Sequence, residues 1–183
     1  MNPLPLVSAV IGVANLYLKR AIVVFLRRFL LILGLFYIAA GSVLAAEVSV
    51  PLAMDFEADA RAVLSSKAVI LLYFSAPDCG YCLKLEEAVL KPMLKSGDYD
   101  AQVLLRKINW RSSAMVTDFS GQPVSLHLLA EHYAVKVTPT LVFVGTSGRE
   151  IAPRILGFLS ADFFWFYLDQ RIAQSQLEIL NKP

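Results

Sequence analysis

Cys79 and Cys82 are the only cysteines in the chain, and only Gly80 and Tyr81 separate them. The strand-like run 68–74 leads into the pair and the helical run 83–94 leads out. That order puts Cys79 at a helix start, where unpaired backbone N–H groups and the helix dipole favour negative charge. A thiolate forms there at lower pH than in free cysteine, and the thiolate is the nucleophile of disulfide exchange. Cys82, one helical turn on, is placed to attack a mixed disulfide and release the product. The pair therefore reads as a redox centre. Two blander readings compete with it. A purely structural disulfide would close so small a loop that it removes little chain entropy. A half zinc site needs further ligands, and His127 and His132 are the only histidines. Five residues apart on a short helix, they do not share a face and read as surface or packing residues. No metal and no organic cofactor is expected.

The elements that must position the pair follow from periodicity and turn signals. Residues 47–54 read as extended or irregular, interrupted by Pro51. Asp55 suits the cap of a helix over 56–65, with Phe56, Ala60, Val63 and Leu64 on one face. The continuous apolar run 68–74 suits a central strand buried on both faces. Ser75-Ala76-Pro77-Asp78 forms the loop before the cysteine helix. That helix buries Leu85, Val89 and Met93, with Pro92 in its last turn and Gly97 as a stop. A second strand is predicted over 102–109. The polar stretch 111–124 reads as a small hairpin turning at Ser120-Gly121. Ser125 caps a helix over 126–133. A strand over 140–144 turns through Thr146-Ser147-Gly148 into an antiparallel partner over 150–155. Ser160 caps a last helix to about residue 180, whose face carries Phe163, Phe164, Tyr167, Leu168 and Ile172. Trp110 and Trp165 read as packing residues.

The first 46 residues hold no acid. Lys19, Arg20, Arg27 and Arg28 precede an apolar run from Phe29 to Ala40, and Gly41-Ser42-Val43-Leu44-Ala45-Ala46 follows. A basic flank, an apolar run and an Ala-rich end make a secretory signal peptide, cleaved after Ala45 or Ala46. The basic region is long, and a translation start near Val24 or Leu26 would leave a compact signal. The competing reading is an uncleaved anchor, with residues 21–46 kept in the inner membrane. Removing the segment takes away four of the 17 basic residues and none of the 15 acidic ones. The remainder carries 13 basic against 15 acidic residues, a formal net charge of −2, which gives no electrostatic case for nucleic acid. The division is thus 1–46, signal peptide or anchor, and 47–183, one domain of about 137 residues able to bury one core. An exported protein sits where disulfides form and persist, so a dithiol acting there as a reductant needs a reducing partner.

Taken together, the order of elements and two motifs resemble the thioredoxin superfamily over about residues 55–180. One motif is the strand–Cys79-Gly80-Tyr81-Cys82–helix unit. The other is Val137-Thr138-Pro139-Thr140 before an apolar strand, which is similar to the family's cis-proline loop. The resemblance implies an α/β thioredoxin fold: a central mixed sheet flanked by helices, here with an insertion before the cis-proline loop. It implies a cis Thr138–Pro139 bond beside the cysteine pair, with the backbone of Thr138 receiving the substrate as an added strand. It gives Asp78, Gly80 and Tyr81 the tuning of the redox poise and the rim. The subgroup it most resembles is exported thioredoxin-like proteins linked to sulfur-compound oxidation or periplasmic disulfide reduction.

The chain also departs from the family pattern. Asp78 stands where thioredoxin has tryptophan, and Gly80-Tyr81 replaces Gly-Pro, as in periplasmic disulfide isomerases. Tyr73 occupies the position of the buried acid that accepts the proton of the second cysteine. Glu86, Glu87, Lys107 or water are the candidate substitutes. Lys107 matches a lysine that normally partners that acid, and equally suits a solvated strand end. Glu87 stands where a helix-kinking proline is expected. The implied function is that of an exported, periplasmic thiol–disulfide oxidoreductase, monomeric, most simply a reductase of disulfide-bearing proteins supplied by a membrane electron donor. An isomerase or oxidase, or a non-catalytic peptide-binding module of the same fold, are the alternatives.

Overall fold

A computed structural model describes residues 22–31 and 47–181. The chain divides into two compact units, Met1–Ala46 and Glu47–Pro183. In the first, residues 22–31 form a helix, α1, with exposed side chains. The expected cleavage sites and most of the apolar run lie outside the described residues. No helix among the described residues is long and apolar enough to cross a membrane.

The second unit follows the alternation of its central strand. β1 (Val69–Ser75) is buried at every position. Successive side chains of a strand point to opposite faces, so this one strand feeds two cores. Val69, Leu71 and Tyr73 pack on one side with Cys82, Leu85, Val89, Met93, Phe164 and Leu168. Ile70, Leu72 and Phe74 pack on the other with Phe56, Val63, Val116, Leu129 and Val142. β1 runs parallel to β2 (Val103–Asn109) and antiparallel to β5 (Thr140–Val144), which pairs antiparallel with β6 (Glu150–Leu156). The order β2-β1-β5-β6 is a mixed four-stranded sheet with helices on both faces.

Asp55 and Ser125 cap helices as the sequence predicts. Asp55 accepts the Ala58 N–H at 2.8 Å and opens α2 (Phe56–Val63). Ser125 accepts the Leu128 N–H at 3.2 Å and opens α5 (Leu126–His132). The hairpin in the insertion pairs β3 (Met115–Thr117) with β4 (Pro123–Ser125). It is tied to the domain by the Asp55–Thr117 bridge and by Phe119 stacked on Phe56, ring centroids 5.0 Å apart.

Two expectations need correction. The cysteine helix starts at Gly80 with Cys79 at its N-cap, as expected, but it is not uniform. It runs as α3 (Gly80–Leu85), a π-helical turn (Glu86–Leu90) and α4 (Lys91–Ser96), ending at Gly97 with φ 73°. Pro92 has no N–H to complete the ladder, and in an α-helix its ring collides with the carbonyl four residues back. The wider turn sits directly before it. The last helix, α6 (Ala161–Asn181), buries Phe164, Leu168, Ile172 and Ser175. Phe163 and Tyr167, placed on that face by sequence, are exposed together with Phe166. The packed row starts at Phe164 and repeats every three to four residues, so residues one position earlier turn outward.

Candidate active site

The loop after β1 delivers Cys79 to the N-cap of α3 in extended backbone geometry (φ −96°, ψ 93°). Cys79 and Cys82 are joined in a disulfide, with Cα atoms 5.1 Å apart. The Cys82 N–H donates to Cys79 Sγ at 3.1 Å. An N–H aimed at that sulfur stabilises negative charge on it once the disulfide is open. The two sulfurs differ in access: Cys79 is half-buried, whereas Cys82 is 1% exposed. An incoming disulfide can therefore reach only the first.

A cleft of about 460 Å³ surrounds Cys79, lined by Asp78, Gly80, Tyr81, Lys84, Arg111 and Thr138 among others. Five sequence-predicted residues thus meet at one surface: Asp78, Cys79, Gly80, Tyr81 and Thr138. Cys82 and Pro139 are buried. Tyr81 is 61% exposed and forms the rim. A methyl group added at Gly80 would meet nothing within 4 Å, so packing does not require glycine there. The Thr138–Pro139 bond is cis. Among the described residues the N–H and C=O of Thr138 make no hydrogen bond, while the Pro139 carbonyl accepts from Gly157 N–H at 2.8 Å. Thr138 remains half-buried and open to the cleft beside the insertion.

Behind Cys82 lies a buried polar cluster that no single motif announces. Glu86 is 7% exposed. Its Oε1 accepts from Tyr73 OH at 2.9 Å and from Lys107 Nζ at 2.6 Å. The Tyr73 hydroxyl also lies 3.2 Å from Ser75 Oγ and 3.3 Å from the Cys82 carbonyl. Burial, reinforced by the Glu86 charge, pushes the Tyr73 hydroxyl far above its ordinary range, so it stays protonated. The cluster is built by register: Tyr73 and Lys107 are direct partners across β1 and β2. Cys82 and Glu86 are four apart on one helix, and the Glu86 N–H bonds the Cys82 carbonyl. Of the candidate substitutes for an acid at position 73, Glu86 lies in this cluster, while Glu87 is exposed and paired with Lys91.

Lys84 and Arg111 are not singled out by sequence. The available signal is position: Arg111 follows the C-terminal end of a parallel strand, where clefts of open α/β sheets form. His127 and His132 are exposed, and no group of three or more His, Cys, Asp or Glu among the described residues could hold a metal ion.

A family model described as a thioredoxin-like domain matches residues 56–172. Among solved structures, the chain is similar to the reduced periplasmic thioredoxin SoxS from Paracoccus pantotrophus, at 23% identity. That match covers 58% of this chain and 98% of that one, with a TM-score of 0.42. A thioredoxin-fold protein from Helicobacter pylori matches at 22% identity over 63% of this chain and 84% of its own, TM-score 0.47. A mutant thioredoxin from Halobacterium salinarum matches at 23% identity over 67% of this chain and 90% of its own, TM-score 0.43. Comparison with curated proteins finds no match.

Proposed function

We propose how this chain works from one premise: it belongs to the thioredoxin-like family and is a thiol–disulfide oxidoreductase. Its direction is reduction. The Cys79 thiolate attacks a substrate disulfide, forming the Cys79–substrate S–S bond and expelling one substrate thiolate. Cys82 then attacks Cys79 Sγ, closing the Cys79–Cys82 bond and expelling the second substrate thiolate. Two electrons pass to the substrate. Cys82 gives up its proton in the second step, and Glu86, four residues on along the same face, receives it. Thr138 docks the substrate backbone with its free N–H and C=O, Pro139 shapes that loop, and Asp78, Gly80 and Tyr81 form the rim.

The observation that carries this reading is the asymmetry of the pair: an accessible Cys79 with an N–H on its sulfur, and a buried Cys82. Reduction of insulin disulfides in the presence of dithiothreitol tests it. Acceleration is expected, and a rate no better than dithiothreitol alone leaves only a binding module. A measured potential then decides direction, since about 30 mV is a tenfold change in the two-electron equilibrium. A value near the strongly reducing end is expected, and a strongly oxidising one favours an oxidase or isomerase.

The N-terminal segment sends the domain to the periplasm, where a membrane electron donor keeps the dithiol reduced and the domain acts as a monomer. A mature N-terminus at Ala46 or Glu47, read by sequencing the exported protein, is the expected result. Recovery of the whole chain from the inner membrane would instead establish an anchor.

A further inference from the structure

The cleft around Cys79 carries unpaired charge. Lys84 reaches it from α3 and Arg111 from the end of β2. Neither forms an ion pair within 4 Å among the described residues, although six other Lys or Arg contacts to carboxylates are made across the domain. Each cation instead rests over a ring, Lys84 over the rim residue Tyr81 and Arg111 over Trp110, which packs against the second core. Lys84 Nζ lies 5.7 Å from the centroid of Tyr81, and Arg111 Cζ lies 5.4 Å from that of Trp110. A cation held this way keeps its charge and its outward donors while losing some freedom. Asp78 is the one carboxylate on the lining, and it too lacks an ion-pair partner among the described residues. Two cations therefore face one acid around the nucleophile, in a domain whose overall charge from residue 47 on is −2. The local sign is opposite to the global one.

We propose that this cleft selects disulfide-bearing protein segments with an acidic side chain next to the reacting cysteine. The proposal rests on the reading of Cys79 as the attacking sulfur. A segment laid along Thr138 as an extended strand advances about 3.3 Å per residue. The residues flanking its cysteine are then within the cleft that Lys84 and Arg111 line. Acidic flanks gain from both cations, and basic flanks meet them as like charges. Exposed pairs are individually weak, so the effect is one of discrimination between substrates rather than tight binding.

The test uses the full chain, reduced, and two disulfide peptides with acetylated and amidated ends, identical except for Glu or Lys on both sides of the cysteine. Flanking charge also changes the intrinsic reactivity of a disulfide, so each rate is divided by that of dithiothreitol with the same peptide. The normalised second-order rate constant for the Glu peptide is expected to exceed that for the Lys peptide by about tenfold at low salt. At about 1 M salt, where screening acts over roughly 3 Å, the ratio should approach one. Arg111→Gln with Lys84→Gln should abolish the preference, and Asp78→Asn should enlarge it. Equal normalised rates, or a preference that survives in the double variant, overturn the proposal while the redox reading stands. If neither peptide is reduced, the assignment of Cys79 fails and the proposal with it.

Discussion

Lys107 Nζ lies 2.6 Å from Glu86 Oε1, a pair that joins the second strand of the sheet to the helix bearing both cysteines. The Glu86 side chain is 10% exposed and that of Lys107 26%. The arrangement puts a carboxylate on the Cys82 face, next to a tyrosine that stays protonated and so cannot itself take a proton.

Glu86→Gln is the informative variant, because glutamine can keep the bond from Tyr73 but cannot accept a proton. Formation of the Cys79 mixed disulfide should proceed at the wild-type rate. Its resolution by Cys82 should slow by roughly 100-fold at neutral pH, at the lower end of general-base effects. The gap should close as pH rises and Cys82 ionises into solvent. Stopped-flow tryptophan fluorescence resolves the two steps. Equal slowing at every pH would mark Glu86 as structural, and Glu86→Asp should recover part of the rate if proton transfer is its role.

The difference in access between the two sulfurs predicts how intermediates accumulate. Cys82→Ser should trap mixed disulfides on Cys79, visible as stable adducts on non-reducing gels. Cys79→Ser should trap few, because Cys82 is buried. Alkylation of the reduced protein at neutral pH should likewise label Cys79 first. Faster labelling of Cys82 would reverse the assignment of nucleophile and resolving thiol.

Much of this is legible in the chain. The strand at Thr140–Val144 follows to the residue, because a short run rich in β-branched and aromatic residues, bounded by Thr-Pro and a glycine turn, admits few other readings. The departure at Tyr73 is visible in sequence, but the hydrogen-bond partners of its hydroxyl are not. Glu86 falls inside the apolar stripe of Leu85, Val89 and Met93, and an acid on a buried face is itself a signal; what it bonds depends on the β1–β2 register, a long-range property. The outward turn of Phe163 and Tyr167 is hidden because α6 is apolar on more than one side, so periodicity alone does not choose the packed row. Lys84 and Arg111 come together only in three dimensions.

Glycines at two positions should respond in opposite ways. Gly148 has φ 75°, and a Cβ there would fall 2.5 Å from the Phe119 ring. Gly148→Ala should cost about 1–3 kcal/mol from left-handed strain and overpacking, read as a lower Tm. Gly80→Ala has open space and sits at the first position of α3. It should leave stability unchanged or raise it by up to about 1 kcal/mol through the unfolded chain. An equal loss in both would show that neither packing nor backbone geometry distinguishes them.

The turn of the inserted hairpin gives a pH test with a definite sign. Asp118 Oδ1 accepts from the Gln122 N–H at 2.8 Å, the Ser120 hydroxyl at 2.7 Å and the Ser120 N–H at 2.8 Å. These bonds, that from Gln122 first, hold the Asp118 carboxyl below its ordinary range. A carboxyl whose pKa is lower in the folded chain stabilises it fully above the unfolded value of about 3.9, and that contribution is lost as pH falls through the folded value. Asp118→Ala should therefore melt below wild type at neutral pH, and the difference should shrink steadily below about pH 4. Amide exchange at Gly121 and Gln122 should quicken in the variant at neutral pH, while the Cys79–Cys82 potential stays unchanged. A melting difference that is the same at pH 7 and in strong acid would mean that the ionised carboxylate does not hold the turn.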